Sequence, residues 1–290
     1  MNPQSAGGRA LKHLPEVERE LDRRSIPYRV VLTESLEQGV SEARRAADAG
    51  EIPVVMSGDG LIGQVGGALA ETDAAMGIIP GGRGNDLARV LGIPSDPAGA
   101  VDVLEARVER LIDVGEVNGR RFLGIASFGF DSECNRIANE TRVIKGNLVY
   151  AYSVPRAIIS WQPAKFDVTV DGRDPITFSG WSVAIANSQA FGGGMYVAPH
   201  AKIDDGLFDI VTIDSSIGRF RYLSNLPKVF KGTHINAEGV TELRAAGSIV
   251  EVSADRDFAV YADGEHLADL PATLRVLPRV LRVIAPPQPA

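Results

Sequence analysis

Along the first hundred residues the apolar positions switch between two periods. Residues 11–24 and 36–49 repeat apolar side chains at helical spacing, the latter stretch with Ala and Leu arranged for one buried face. Residues 28–32, 54–56 and 76–79 are short apolar runs instead. The continuous Val54-Val55-Met56 is what a central parallel strand, buried on both faces, shows. Asp96-Pro97 reads as a helix cap followed by proline at the first helical position. Strand and helix signals alternating in this way predict a parallel sheet covered by helices.

After about Arg110 the texture changes. Strand-like stretches follow one another at residues 111–114, 122–126, 166–170, 181–186, 208–213, 249–252, 258–261 and 274–277, several alternating apolar with polar. Asp171-Gly172 is a hairpin signal, and helical insertions are predicted over 149–159 and 217–230. The pattern predicts a mostly antiparallel β-domain after an α/β domain, with the active site in the cleft between them. The tail Ala285-Pro286-Pro287-Gln288-Pro289-Ala290 is expected to fray.

Two of the apolar runs end in glycine-rich turns that carry acids. Val54-Val55-Met56 leads into Ser57-Gly58-Asp59-Gly60-Leu61, and Ile78-Ile79 into Pro80-Gly81-Gly82-Arg83-Gly84-Asn85-Asp86, each opening into a helix pattern. At the carboxyl ends of parallel strands, bare glycine amides and a helix N-terminus receive anions. Two such loops side by side would hold phosphates, which points to phosphoryl transfer. Asp59, between two glycines, can reach a metal ion or its waters while the amides approach phosphate oxygens, and charge management of this kind is most of what the reaction needs. A plain Asp-Gly hairpin turn is the alternative, but a strand before and a helix after disfavour it. Asn85 and Asp86 can bind nucleotide, cap their helix, or do both. A third turn, Asn2-Pro3-Gln4-Ser5-Ala6-Gly7-Gly8, follows only Met1. Such turns normally follow a strand, so either the sheet lacks one or the true start lies upstream; an upstream start is the expectation here.

Composition narrows the function. A chain of 290 residues has room for two cores, and its net charge of −7 argues against a broad nucleic-acid surface. A single cysteine, Cys134, excludes an intramolecular disulfide and fits a reducing compartment; it reads as a packed side chain. No apolar run reaches the ~18 to 20 residues that cross a bilayer, and the N-terminus lacks the apolar stretch of a signal peptide. A cytoplasmic protein is expected, with peripheral membrane contact allowed and a homodimer left open.

With these loops in order, the chain resembles the bacterial diacylglycerol kinase and sphingosine kinase superfamily of lipid kinases, from Asn2 to about Ile284. In that family an Asn-Pro-x-Ser-Gly turn, a Gly-Gly-Asp-Gly-Thr loop and a Gly-Thr-Gly-Asn-Asp loop cradle ATP. The three turns quoted above stand in those places, and Ser57-Gly58-Asp59-Gly60-Leu61 is more similar to the sphingosine kinase version of its loop. Leu111-Ile112-Asp113-Val114-Gly115 is similar to the family's passage into the β-domain, and Lys202-Ile203-Asp204-Asp205-Gly206-Leu207 and Tyr261-Ala262-Asp263-Gly264-Glu265 match two later segments. The resemblance implies a Rossmann-like three-layer α/β domain at residues 1–112 and a β-sandwich lipid-substrate domain at 113–284, whose last strand returns to the first domain, then a disordered tail at 285–290. It implies ATP and Mg²⁺ as cofactors, a membrane lipid as substrate (diacylglycerol first, a sphingoid base second) and transient contact with the inner face of the membrane.

The same resemblance assigns residues. Nucleotide contacts are implied at Asn2, Ser5, Gly7, Thr33, Ser57, Gly58, Asp59, Gly60, Gly82, Arg83, Gly84, Asn85 and Asp86. Glu265 is implied as the general base, a role that suits a carboxylate held across a cleft from the phosphates; an ordinary polar β-turn is the alternative. Asp263 either shares the metal–water network or caps that turn. Lys202 and Leu207 through their carbonyls and Asp205 through its side chain match a further, structural Mg²⁺ site, or form an exposed turn. Thr33 contacts nucleotide or caps the helix starting near Leu36. Asp113 is catalytic support or a hinge hydrogen-bonder, and Asp131 contacts a polar lipid head. The loop Phe191-Gly192-Gly193-Gly194-Met195 is read as lining the acyl-chain entrance. Arg219-Phe220-Arg221-Tyr222 and Lys228-Val229-Phe230-Lys231 suit docking on an anionic membrane; a helix packing its aromatics on the β-domain is the commoner arrangement.

Four departures from the family pattern stand beside these matches. Leu61 replaces a threonine, Gly63-Gln64 an Asn-Glu pair, Arg83 a small hydroxyl residue and Ala6 a glycine. They motivate an alternative, a nucleotide- or lipid-binding regulator with weak or no turnover. An NAD kinase-like or sugar-kinase-like enzyme is a further alternative through the Gly-Asp-Gly loop. NAD kinase would need an Asn-Glu pair downstream, and the nearest, Asn139-Glu140, lies in a charged helical context away from the loops.

Overall fold

Val54–Ser57 (β1) and Ala75–Pro80 (β2) pair in parallel, Val55 opposite Ile78 and Met56 opposite Ile79. The computed structural model that shows this describes residues 1–3, 5–140, 156–159 and 161–288. Five helices surround the pair: Arg9–Arg23 (α1), Leu36–Asp48 (α2), Asp59–Leu69 (α3), Asp86–Leu91 (α4) and Pro97–Ala106 (α5). Their starts follow local chemistry. The Ser35 hydroxyl accepts the Gln38 amide at 3.1 Å, and the Asp96 carboxylate accepts the Gly99 amide at 2.8 Å ahead of Pro97. The core between these helices and the sheet is built from Val, Leu, Ile, Met and Ala.

The rest of the chain is mainly antiparallel. Glu109–Val117 (β3), Arg120–Phe122 (β4) and Ile125–Gly129 (β5) lead into a helix, Phe130–Glu140 (α6). Ala164–Val170 (β6), Ile176–Ala186 (β7) and Phe208–Asp214 (β8) follow, then Arg219–Val229 (α7). Five more strands complete it: Val240–Gly247 (β9), Ile249–Ala254 (β10), Ala259–Ala262 (β11), Glu265–Asp269 (β12) and Ala272–Ile284 (β13). The strands wrap as a sandwich around an aromatic core, with Phe128, Phe166 and Phe208 fully buried. β13 belongs to both halves: it runs antiparallel to β10 and β3, then sets Arg282 and Val283 parallel to Ala75 and Met76 of β2. A bulge between Leu277 and Leu281, with Arg279 at φ 53°, lets one strand serve two sheets.

Several sequence expectations need correction. Residues 28–32 form no strand, because a strand needs a ladder and among the described residues no strand pairs with them; the Met1 amino group donates to the Val31 carbonyl at 2.8 Å. The run 122–126 is broken at Leu123-Gly124, whose amides turn away to a side chain described below. β9, Val-Thr-Glu-Leu-Arg-Ala-Ala-Gly, carries no strand pattern and is held extended by pairing with β8. The predicted helix at 149–159 lies largely outside the described residues; 156–159 are helical. The tail does not fray at its start, since Ala285 is buried and its amide donates to Val108 at 3.0 Å, while Gln288 reaches Asp204.

Candidate functional site

The two acid-bearing turns meet at the carboxyl ends of β1 and β2. A Cβ on Gly58 would lie 3.2 Å from the Gly82 Cα, and one on Gly82 would strike the Gly58 Cα, so the loops touch only because both residues are glycine. The N-terminal turn joins them through Ser5, whose hydroxyl accepts the Gly58 amide at 3.1 Å. Together they line a cleft of about 440 Å³ whose walls include Asn2, Ser5, Gly7, Ser57, Gly58, Asp59, Gly60, Gly82, Arg83 and Gly84, with Leu36 and Leu61. Ten of the thirteen expected nucleotide residues therefore surround one space, with Arg83 exposed at its rim.

The other three do not line it. The Asn85 side chain folds back on Gly82, its Oδ1 accepting that amide at 2.7 Å and its Nδ2 donating to that carbonyl at 3.2 Å. It shapes the loop and does not cap α4. The Asp86 carboxylate turns the other way, accepting the Gly193 and Gly194 amides at 2.8 and 2.6 Å and pairing with Arg89 at 2.9 Å. Thr33 is buried with its hydroxyl on the Met1 carbonyl at 3.2 Å; the cap of α2 is Ser35, not Thr33.

Asp59 opens α3 and accepts the Asp86 amide on Oδ1 at 2.6 Å. Its Oδ2 points at Gly84, where a Cβ would lie 2.7 Å from it and 3.0 Å from Asp86 Oδ2. Burial raises the Asp59 pKa, and the Asp86 charge raises it further, against three backbone amides that lower it.

The third acid of the site arrives from 140 residues away, measured from the Leu123 amide it holds. Asp263 and Gly264, at φ 51° and 85°, form the tight turn between β11 and β12. The Asp263 carboxylate accepts the Leu123 amide at 2.7 Å and the Gly124 amide at 3.0 Å, the two amides at the break between β4 and β5. Burial pushes Asp263 up to about 6, opposed by those two amides. Glu265 follows at the start of β12, with Oε1 4.0 Å from where a Gly60 Cβ would be. Glu265 lines another cleft of about 700 Å³, walled also by α2, Gln64 and Arg120. It does not line the first cleft, although its Oε1 faces Gly60 there.

Two departures from the family pattern acquire packing reasons. Leu61 is buried in the aliphatic core, where a Cβ on Gly39 would meet its Cδ1 at 2.5 Å. Gly63 leaves the space Asp263 fills, since a Cβ there would lie 2.9 Å from Asp263 Oδ2.

The remaining candidates sit elsewhere. Asp113 is fully buried, its Oδ2 accepting the Gly206 amide at 2.6 Å and its Oδ1 the Arg279 amide at 2.7 Å. Burial raises its pKa. With both oxygens on backbone amides it ties β3 to the 202–207 loop and to the β13 bulge. In that loop Asp205 accepts the Leu207 amide at 3.1 Å, a turn geometry beside Lys202. Among the described residues no group of three or more His, Cys, Asp or Glu side chains gathers into a metal cage. Asp131 begins α6 next to the aromatic core, with its pKa pushed up to about 6 by burial, and lines neither cleft described above.

Two contacts escaped the sequence reading. The loop 191–195, read as lining the acyl-chain entrance, closes on itself through Phe191 and Met195, and its glycine amides clamp Asp86; the triple glycine, whose residues all adopt positive φ, was the visible signal. Asn187 is fully buried and donates to the Asp113 and Leu123 carbonyls at 3.1 and 3.0 Å, the first polar residue after the apolar run at the end of β7.

Comparison with known proteins adds the family. The diacylglycerol kinase catalytic domain matches residues 1–117, and the YegS C-terminal NAD kinase beta sandwich-like domain matches residues 124–285. A Mycobacterium tuberculosis diacylglycerol kinase is 34% identical over 250 residues, covering 84% of this chain and 80% of that protein. A Bacillus subtilis diacylglycerol kinase is 28% identical over 299 residues, covering 100% and 96%. A solved diacylglycerol kinase structure from Bacillus anthracis superposes with a TM-score of 0.74 at 20% identity, over 99% of this chain and 95% of that one, which shows the fold.

Proposed function

The chain belongs to the diacylglycerol kinase family of lipid kinases, and on that footing we propose that it transfers the γ-phosphate of ATP to a hydroxyl of diacylglycerol, with Glu265 as general base. The observation that carries this reading is the place of Glu265, which lines one cleft while its Oε1 faces Gly60 of the phosphate-binding turn that lines the other. ATP phosphates seated along the glycine backbone at Gly60 and Gly84, in loops whose Gly58 and Gly82 amides are held by Ser5 and Asn85, would bring the γ-phosphate beside Asp59. The lipid hydroxyl would approach from the larger cleft, the Glu265 carboxylate taking its proton as the oxygen attacks the γ-phosphorus and the bond to the β–γ bridging oxygen breaks, releasing ADP. Arg83, exposed at the rim, places a guanidinium where it can grip phosphate oxygens.

A divalent cation fits the donor set. Asp59 Oδ2 lies at Gly84, while both Asp86 oxygens already accept the Gly193 and Gly194 amides, so Asp59 is the carboxylate that would hold the ion. Mg²⁺ in kinases is held by one or two carboxylates together with phosphates and waters. When bound it would neutralise charge on the phosphates. Among the described residues no helix is long and apolar enough to cross a membrane, so the lipid is reached from a membrane surface, with the inner face proposed.

The test is transfer of labelled γ-phosphate from Mg-ATP to a panel of micellar lipid alcohols, using the wild type, Asp59→Asn and Glu265→Gln. The expected result is a labelled diacylglycerol product that both substitutions abolish. A labelled sphingoid base instead would redirect the substrate. ATP binding without transfer to any lipid would overturn the kinase assignment for this chain and favour a regulator.

A further inference from the structure

α7 and the turn after it present a surface that the lipid-kinase reading does not by itself explain. The stretch from Arg219 to Lys231 holds the four cations Arg219, Arg221, Lys228 and Lys231 and no acid, in a chain whose net charge is −7. It also holds three large exposed apolar side chains, with Phe220 91% exposed, Phe230 53% and Leu223 40%. Single exposed apolar residues are ordinary, but a cluster rimmed by one sign of charge marks an interaction surface.

The helix is fixed in rotation by its opposite face. Tyr222 and Asn225 are buried, and the Tyr222 ring stacks 4.5 Å from Trp181 and stands edge-on 5.0 Å from Phe130. At about 3.6 residues per turn, positions 220, 223, 227 and 230 fall on one stripe opposite 222, 225 and 229. Arg219 flanks that stripe on one side, and Arg221, Lys228 and Lys231 flank it on the other. The tyrosine therefore packs inward as a core aromatic, while the two phenylalanines point outward. Arg219 donates to the Trp161 carbonyl at 3.1 Å, and Arg221 pairs at 3.0 Å with Glu238, itself 79% exposed, so neither is drawn into the core.

The stripe is also wired to the site. The Tyr196 amide donates to the Val229 carbonyl at the end of α7 at 3.0 Å, and the preceding 191–195 loop clamps Asp86 through Gly193 and Gly194. One short loop connects this helix to the phosphate-binding turn.

We propose that α7 and its following turn seat the protein on an anionic lipid bilayer, Phe220, Leu223 and Phe230 entering the headgroup layer while Arg219, Lys228 and Lys231 meet lipid phosphates. The charge pattern selects this occupant. A second copy docking by two-fold symmetry would press the same cations against themselves, whereas basic residues around inserted aromatics match an anionic interface. The proposal rests on the lipid-kinase reading for its purpose only, because binding to vesicles requires no turnover.

The full chain without nucleotide is sedimented with vesicles of phosphatidylcholine alone, or of equal parts phosphatidylcholine and phosphatidylglycerol. Binding to the anionic vesicles, weakened by salt and absent on phosphatidylcholine, is expected. Phe220→Ser and the pair Lys228→Gln with Lys231→Gln should each lower partitioning about tenfold with unchanged thermal melts. Phosphorylation of a short-chain, water-soluble diacylglycerol should stay as in the wild type, while that of a long-chain diacylglycerol in vesicles falls. Wild-type protein that ignores anionic vesicles, or variants that bind as well as wild type, would overturn the docking face. So would variants that merely convert a dimer to a monomer by sedimentation equilibrium. Vesicle binding lost in the variants, with no lipid phosphorylated by any protein, would keep the docking face and sink the kinase reading instead.

Discussion

The two halves of the molecule bury different side chains. Around the parallel strands β1 and β2 the core is aliphatic and, among the described residues, holds no aromatic ring. Inside the sandwich Phe122, Phe128, Phe130, Phe166, Phe208, Phe258, Trp161, Trp181 and Tyr222 fill the space. The difference follows from the layers. Helices pressed close on a parallel sheet leave room for small residues, as at Gly66, where a Cβ would meet Leu123 Cδ1 at 2.6 Å. Two sheets stacked about 10 Å apart need rings to fill the gap. In the proposed reading function divides along the same line: the aliphatic half supplies glycine backbone at strand ends together with Asp59, and the aromatic half supplies Asp263 and Glu265, delivered by long-range pairing. Added atoms should therefore damage the first half most, and altered charges should act where the two halves meet.

The largest effects are expected at that meeting point. Asp59→Asn should lower phosphoryl transfer about a thousandfold, as loss of a central charge-managing group does. Its thermal midpoint should hold or rise, because burial and Asp86 already disfavour the charged carboxylate in the folded chain. Glu265→Gln should lower transfer about 10²- to 10⁴-fold with ATP affinity unchanged. Single-turnover kinetics with parallel nucleotide titrations check both. Glu265→Gln with full turnover would remove the general base from the aromatic half and erase the division of labour.

Gly82→Ala probes the backbone half alone. The new Cβ strikes the Gly58 Cα, which is main chain and cannot swing aside, so the loops must part. A cost of about 1–3 kcal/mol is expected from overpacking, seen as a melting point several degrees lower, together with loss of nucleotide binding. Gly218→Ala is the control, having no atom within 4 Å of its Cβ position, and should change stability by less than about 0.5 kcal/mol. Equal melting curves for the two variants would mean that the loop contact is slack.

The comparison also explains what the sequence disclosed. The α/β half was legible because its signals are local: helical spacing in α1 and α2, the Asp96-Pro97 cap, and glycine turns directly after apolar runs. The site's outline was legible for the same reason. The rest depended on distance. Nothing near Leu123 announces that its amide serves Asp263, and nothing near Asp86 announces Gly193. Residues 28–32 have the composition of a strand and lack a partner, whereas β9 lacks that composition and is made extended by β8. Thr33 and Ser35 are two residues apart with the same chemistry, and only the backbone decides that Ser35 meets the helix amide.

The smallest expected effect concerns buried acids on both sides of the divide. Burial lifts Asp131, Asp209 and Asp263 to about 6, against about 4 for an unfolded carboxylate. Between those values the native chain holds more protons than the unfolded one, so stability falls as pH rises through that window and levels off above it. Protein free of nucleotide should melt a few degrees higher at about pH 5 than at about pH 7.5. Asp263→Asn should flatten part of that slope while lowering the midpoint at every pH, since an amide oxygen cannot satisfy both the Leu123 and Gly124 amides. The slope, not the midpoint, is the readout. Mg-ATP should reduce a smaller part of it, because burial is the main cause of the Asp263 shift and the charges of Asp59 and Asp86, which a bound cation would offset, add less. A slope untouched by either change would assign the whole effect to Asp131 and Asp209, and with it remove Asp263 from the electrostatics of the phosphate site.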